Sequence, residues 1–321
     1  MTDVAVIIAA WNAEAFIGNA VRSALAQTGV SLEVIVIDDA SGDETLAAAQ
    51  AAAGNDQRLI CERLEKNCGP SAARNRALEL VTARYVAVLD ADDAMVEGRL
   101  ARLVAQADET GADIVVDNLA RVTEPGGVPD ARPFLDGSHA QKVTTISLAE
   151  YVDPETTARF GGGLGFLKPL FRMEAVRAAG LQYDVSLRNS EDYYFVAELL
   201  ARGSTMSFTP ETGYLYTVRE GSLSHRLSPA LTSAIVAAES RFQSQWSREA
   251  EPALQAAFRR RLAQWKRVDA LEGLVAAIKR RSPVAAIGAI ASHPAQTPFM
   301  IGRLISIAVS KVFGLSDRTA R

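Results

Sequence analysis

A chain of 321 residues, 48% hydrophobic, is long enough for one large domain or for a domain with an appendage. A net charge of -4 and an isoelectric point near 5.6 give no reason to expect nucleic acid as a partner. The two cysteines, Cys61 and Cys68, are too few for a disulfide framework and have no histidine nearby to complete a zinc pattern, so free thiols in a reducing cytosol are expected.

Val4-Ala5-Val6-Ile7-Ile8-Ala9-Ala10 reads as a buried strand, and Trp11-Asn12 turns the chain. Residues 13–27 place apolar side chains at helical spacing, and residues 32–37 form a second strand that runs into Asp38-Asp39. Residues 44–53 are an Ala-rich helix, 58–61 a third strand, and 72–81 a helix with Pro70 near its start. Tyr85-Val86-Ala87-Val88-Leu89 then runs straight into Asp90, Asp92 and Asp93. A continuous apolar run of this kind is a strand buried on both faces, and the alternation predicts a parallel α/β sheet with right-handed crossovers. A helix over 95–110 stopped by Gly111 and a fifth strand over 113–117 follow. Residues 124–140, rich in Pro, Gly and Asp, predict a mobile excursion, and 147–152 a short helix. The glycines of 161–165 fit no phosphate-loop spacing. Strand is expected again near 166–171, helices over 174–179 and 190–200, and late strands over 206–208 and 214–218. From residue 229 the pattern is helical only, with long amphipathic candidates over 231–246 and 253–278, a shorter one over 285–291, and an apolar stretch over 298–314. The expected organisation is a catalytic domain over 1–228, divided into a nucleotide-binding half (1–117) and an acceptor-binding half (118–228), and a helical extension over 229–321.

Ligands of open α/β sheets sit just past the carboxyl ends of the strands. Both acidic clusters fall there. Three neighbouring carboxylates oppose one another's ionisation unless a cation joins them, and Mg²⁺ or Mn²⁺ shared with substrate phosphates would do so. The plainer alternative is an acidic turn that starts a helix. Asp39 suits a base N–H or ribose hydroxyls, or else caps a turn. Trp11 suits either stacking on a base or packing in the core. Arg74, one turn into its helix, suits bidentate contact with a diphosphate or service as a surface cation; Lys66 and Arg76 have weaker claims. Asp192, in the first turn of a helix, suits proton abstraction from a hydroxyl or simple compensation of the helix dipole. In the late loop, Arg219 is a phosphate candidate, and His225 approaches a metal or phosphate or is merely solvated.

Taken together, Val6-Ile7-Ile8-Ala9-Ala10-Trp11-Asn12, Val34 through Asp43, Asn67-x-Gly69-x-Ser71-x-Ala73-Arg74-Asn75, Leu89-Asp90-Ala91-Asp92-Asp93 and Glu191-Asp192 resemble the inverting family 2 glycosyltransferases of GT-A fold. The likeness is to bacterial exopolysaccharide and succinoglycan-type members and covers about residues 1–225. Ala9 stands where the usual first motif has Pro, and Trp11 where it has Tyr. The resemblance implies a Rossmann-like, mainly parallel sheet flanked by helices, and a nucleotide-sugar-dependent, non-processive hexosyltransferase. It implies that Ala9, Trp11 and Asp39 line the base pocket, that Arg74 contacts the nucleotide or its diphosphate, and that Asp90 meets the ribose. It further implies a metal on Asp92, a base at Asp192, and a further diphosphate contact from Arg219, Ser222 or His225. The donor would be a nucleotide-diphosphate sugar, with a UDP-sugar favoured, and the acceptor a hydroxyl of a glycan or lipid-linked oligosaccharide. Processive members carry Q-x-x-R-W, whereas Gln264-Trp265-Lys266-Arg267-Val268 lacks the final Trp.

Two rivals share parts of this pattern. A sugar-nucleotide nucleotidyltransferase needs a basic, Gly-rich loop after the first strand, but here the first basic residue is Arg22, inside a helix. A catalytically silent sugar-nucleotide-binding subunit would lack Asp92 or Asp192, and both are present. No basic stretch, apolar run and small-residue cleavage site open the chain, and no apolar run is long enough to span a bilayer, so a cytoplasmic protein is expected. The C-terminal helices leave open a peripheral contact with a membrane, self-association, or packing on the chain's own core.

Overall fold

A computed structural model of the protein describes residues 2–124, 126–130, 132–218 and 227–303. The chain forms two compact units, Met1–Ser222 and Leu223–Arg321. In the first, β1 (Val4–Ala10), β2 (Leu32–Asp38), β3 (Leu59–Arg63) and β4 (Tyr85–Val88) pair in parallel in the order β3-β2-β1-β4. α1 (Ile17–Leu25), α2 (Thr45–Ala53) and α3 (Pro70–Leu80) make the crossovers. β1, β2 and β4 are buried almost throughout, which explains their uninterrupted apolar sequences.

Beyond β4 the sheet departs from the parallel expectation. β7 (Leu170–Arg172) enters antiparallel beside β4, and β6 (Ile114–Val122) lies on its far side. β8 (Met206–Thr217) follows, parallel to β6, and β5 (Ala94–Met95) closes the edge antiparallel to β8. The two late strands expected from sequence are thus one strand, irregular at Asp117 and Asn118 of its partner. The helix expected from residue 95 starts instead at Arg99 as α4 (Arg99–Thr110), because Ala94 and Met95 pair with β8 and Gly98 turns the chain at φ 74°. The strand expected over 166–171 is cut short: Leu164–Phe166 is a 3-10 turn, and Pro169 cannot donate to a ladder.

The excursion after β6 is tied down rather than mobile at its return. Asn118 donates from Nδ2 to the Leu135 carbonyl (2.9 Å) and accepts from the Leu135 N–H (3.0 Å), and Leu135 is fully buried. α5 (Leu148–Val152) carries a Ser147/Glu150 capping box, and α6 (Pro154–Phe160), which the sequence reading missed, is capped by Asp153. α7 (Met173–Ala179) and α8 (Glu191–Ala201) complete the first unit.

The second unit is helical: α9 (Pro229–Trp246), α10 (Pro252–Lys279) and α11 (Pro283–Ser292). Phe242 and Phe258 meet edge to face at 5.7 Å, and buried Glu239 pairs with Arg261 at 2.9 Å. Of the stretch expected over 298–314, residues 304–314 lie outside the described residues.

Candidate active site

The site begins where β2 and β4 end. Asp39 is buried, and its carboxylate accepts the backbone N–H groups of Cys68 and Gly69, both at 2.7 Å. Those two residues lead into α3, so Asp39 fixes the start of the helix that carries Arg74 one turn further on. Gly69 holds φ 90°, a conformation that favours glycine. Asn75 locks the same helix to the segment before α8. It donates to the Tyr183 carbonyl (3.0 Å) and accepts the Tyr183 N–H (2.7 Å).

Arg74 and Lys168 organise the centre. The Arg74 guanidinium is buried and lies 2.8 Å from Asp90, 2.5 Å from Glu191 and 3.2 Å from Asp192. The Lys168 ammonium, also buried, sits 2.8 Å from Asp90 Oδ2 and 2.7 Å from Asp192 Oδ2. One ammonium therefore bridges the acid that ends β4 and the acid that starts α8. Burial opposes the charge on Asp90, but Lys168 and Arg74 outweigh it and hold that carboxyl down at about 2. Burial likewise works against Lys168 and Arg74, yet the surrounding carboxylates keep both above their usual ranges. Burial prevails at Glu191, whose carboxyl is raised in spite of Arg74.

The acidic turn has divided roles. Asp93 faces inward, accepting the Tyr214 hydroxyl and the Thr217 N–H, each at 2.7 Å. Burial, with Asp90 and Asp92 beside it, pushes its carboxyl well above the usual range. The Tyr214 hydroxyl also accepts the Asp90 N–H at 3.1 Å, so β8 braces the turn from below. Asp92 lies half-buried between these two acids. Beneath them, fully buried Arg99 binds both oxygens of Asp117 and donates to the Lys168 carbonyl at 2.6 Å. Position 213 belongs to this brace, because a Cβ there would fall 2.1 Å from Asp117 Oδ2.

The structure thus gathers Arg74, Asp90 and Asp192, with Asp92 on the same turn as Asp90. Trp11 is 54% exposed just past β1, which excludes the core-packing alternative, and Ala9 is half-buried near the end of that strand. Arg74 is not a surface cation: it is buried, and the carboxylates of Asp90, Glu191 and Asp192 surround it. Arg76 pairs with Glu62 and Glu79 at the surface. Arg219, Ser222 and His225 lie outside the described residues. Lys168 escaped the sequence reading, and its only signal was a lone cation in the run Leu164-Gly165-Phe166-Leu167-Lys168-Pro169-Leu170-Phe171. Arg99, Asp117 and Tyr214 carried no signal, because their partners are distant in sequence.

A divalent cation fits the acidic turn chemically: Asp92 is a hard oxygen donor next to Asp90. Among the described residues no three His, Cys, Asp or Glu side chains converge as a ready-made cage, so most of a Mg²⁺ or Mn²⁺ shell would come from substrate phosphates and water.

This sheet with its acidic turn is the GT-A glycosyltransferase fold. Staphylococcus aureus TarS 1-349 in complex with UDP-GlcNAc superposes with a TM-score of 0.59 over 91% of each chain at 20% identity. The mannosyltransferase PcManGT from Pyrobaculum calidifontis, in complex with GDP-Man and Mn²⁺, gives 0.60 over 98% of this chain and 90% of that one at 18% identity. In sequence, the glycosyl transferase family 2 domain matches residues 5–172. The succinoglycan biosynthesis protein ExoO of Rhizobium meliloti is 34% identical over 91% of this chain and 82% of its own length. ExoU of the same organism is 39% identical over 70% of this chain and 64% of its own length. The chain belongs to glycosyl transferase family 2, and its homologues serve bacterial polysaccharide synthesis.

Proposed function

We propose that the chain is a metal-dependent, inverting and non-processive glycosyltransferase. It moves a sugar from a nucleotide-diphosphate sugar, with a UDP-sugar favoured, to a hydroxyl of a glycan or lipid-linked acceptor. The observation that carries this reading is the Lys168 bridge, which sets Asp192 beside Asp90 at the carboxyl end of the sheet. Asp192 then accepts the proton of the acceptor hydroxyl as that oxygen attacks the anomeric carbon opposite the departing diphosphate. One such base suffices for inversion, and no nucleophilic carboxylate is required. The hydroxyl competes with Lys168 for Asp192 Oδ2. Asp90 meets the ribose; Trp11 stacks on the base, and Ala9 and Asp39 line its pocket. Arg74 acts here as a positioning residue, holding Asp90, Glu191 and Asp192 together. A Mg²⁺ or Mn²⁺ held by Asp92 would offset the charge of the diphosphate leaving group.

The test uses the full chain with Mn²⁺ and a panel of UDP-, GDP- and dTDP-sugars, read both by thermal shift and by release of nucleoside diphosphate. Asp192→Asn is expected to lower turnover by roughly 10²–10⁴-fold while keeping the donor-induced thermal shift. Turnover undiminished in that variant would overturn the base assignment. Donor binding without turnover in the unaltered chain would favour a silent binding subunit instead.

A further inference from the structure

The two units carry opposite charge. Residues 1–222 hold 19 Lys and Arg against 32 Asp and Glu, a net of -13, whereas residues 223–321 hold 15 against 6, a net of +9. No Asp or Glu occurs from residue 273 to 303, a stretch that contains Lys279, Arg280, Arg281 and Arg303.

The same stretch exposes apolar side chains. α11 buries none of its residues fully. One face, with Ala286, Ala289 and Ile290, packs against Ala270, Leu274 and Met300. The other carries Val284 and Ile287, which are 82% and 68% exposed, in line with Gly288 and Ala291 at helical spacing. Ile278, at the end of α10, is also exposed and adjoins Lys279, Arg280 and Arg281, which are exposed as well. No helix among the described residues is long and apolar enough to cross a membrane.

We propose that this corner, formed by the end of α10 and the outer face of α11, docks the protein on an anionic lipid surface. The chemistry separates the occupants. An exposed aliphatic row gains from an apolar phase, and the adjoining cations gain from negative headgroups; a bilayer interface offers both. A soluble polyanion offers only the second. A second copy seated corner to corner would bring two acid-free, cationic stretches together, at a Coulombic cost. The inference is independent of the donor and base assignments.

Flotation of the full chain with phosphatidylcholine vesicles, with and without about 30 mol % phosphatidylglycerol, tests it, and binding is expected to be roughly tenfold tighter to the anionic vesicles. Two variants probe separate parts of the corner: Val284→Glu with Ile287→Glu, and Lys279→Gln with Arg280→Gln and Arg281→Asn. Each is expected to weaken anionic binding by roughly tenfold while leaving the helical circular dichroism and donor-induced thermal shift intact. No flotation of the unaltered chain with anionic vesicles would overturn the proposal, as would binding that both variants retain. A dimer seen by light scattering and abolished by both variants would also overturn it, because the occupant would then be a second copy.

Discussion

The two halves of the sheet hold their acids differently. In the parallel half, carboxylates are held mainly by backbone N–H groups: Asp38 accepts the Ser41 N–H, with half-exposed Arg63 3.5 Å away, and Asp39 accepts the N–H groups of Cys68 and Gly69. Where the mixed half joins, cations from elsewhere in the chain hold Asp90 and Asp192 (Lys168) and Glu191 (Arg74), while Asp93 is held by the Tyr214 hydroxyl and the Thr217 N–H. The first set is placed once β2 and the loop into α3 come together, over sequence separations of at most 30 residues. The second set requires β7 to have paired with β4 and α8 to have packed on β7. The base candidate at Asp192 thus depends on a contact with Arg74, more than 100 residues away in sequence, whereas Asp39 is placed by a strand end and the loop that follows the next strand.

The largest loss of stability is expected at Arg74. Arg74→Met leaves Lys168 to hold Asp90 and Asp192 and takes the paired cation from Glu191, and a loss of about 4 kcal/mol in urea-unfolding stability is expected. A loss below about 1 kcal/mol would mean that the three acids do not depend on it. Asp39→Ala strips the partner from two backbone N–H groups but leaves the ion network intact, so about 2 kcal/mol is expected from the same measurement.

Acid sharpens the contrast. The Asp90 carboxyl sits at about 2 against an ordinary 3.8, so its ion pairs stabilise the fold fully above about pH 4 and are lost as pH falls through about 2. The raised carboxyls of Glu191 and Asp93 act in the opposite sense: their contribution is present at low pH and declines as pH rises through their folded values. Comparing Asp90→Asn with the unaltered chain isolates the first effect, and a shallower fall in stability from pH 4 to 2 is expected in the variant. The smallest effect on the fold belongs to Trp11. Its exposure predicts that Trp11→Ala changes stability by less than about 0.5 kcal/mol, while donor affinity measured by calorimetry falls roughly tenfold from lost stacking.

The same contrast governs what was legible beforehand. β1, β2 and β4 declare themselves because strands buried on both faces are apolar throughout, and the acids that follow β2 and β4 mark the carboxyl edge of the sheet. β5 is two residues long and carries no period of its own. Nothing local says that β7 lies between β4 and β6 or that it runs antiparallel, since such pairing is decided by distant partners. Asp192 was legible as an acid in the first turn of a helix beside tyrosines, but Lys168 was not, because a single lysine in an apolar run looks the same whether its ammonium reaches solvent or an ion cluster. The carboxylates around Arg74 are hidden for the same reason, since Glu191 and Asp192 lie more than 100 residues further along the chain.

The bare α-carbon at Gly213 has an evolutionary corollary. With Asp117 Oδ2 occupying the space where any larger residue would begin, substitution at 213 and retention of the Arg99–Asp117 pair exclude one another. Among descendants of this gene, drift at 213 should therefore travel with loss of that arginine or that aspartate. The three positions form a covarying triplet, and a sequencing survey can read it without a protein preparation.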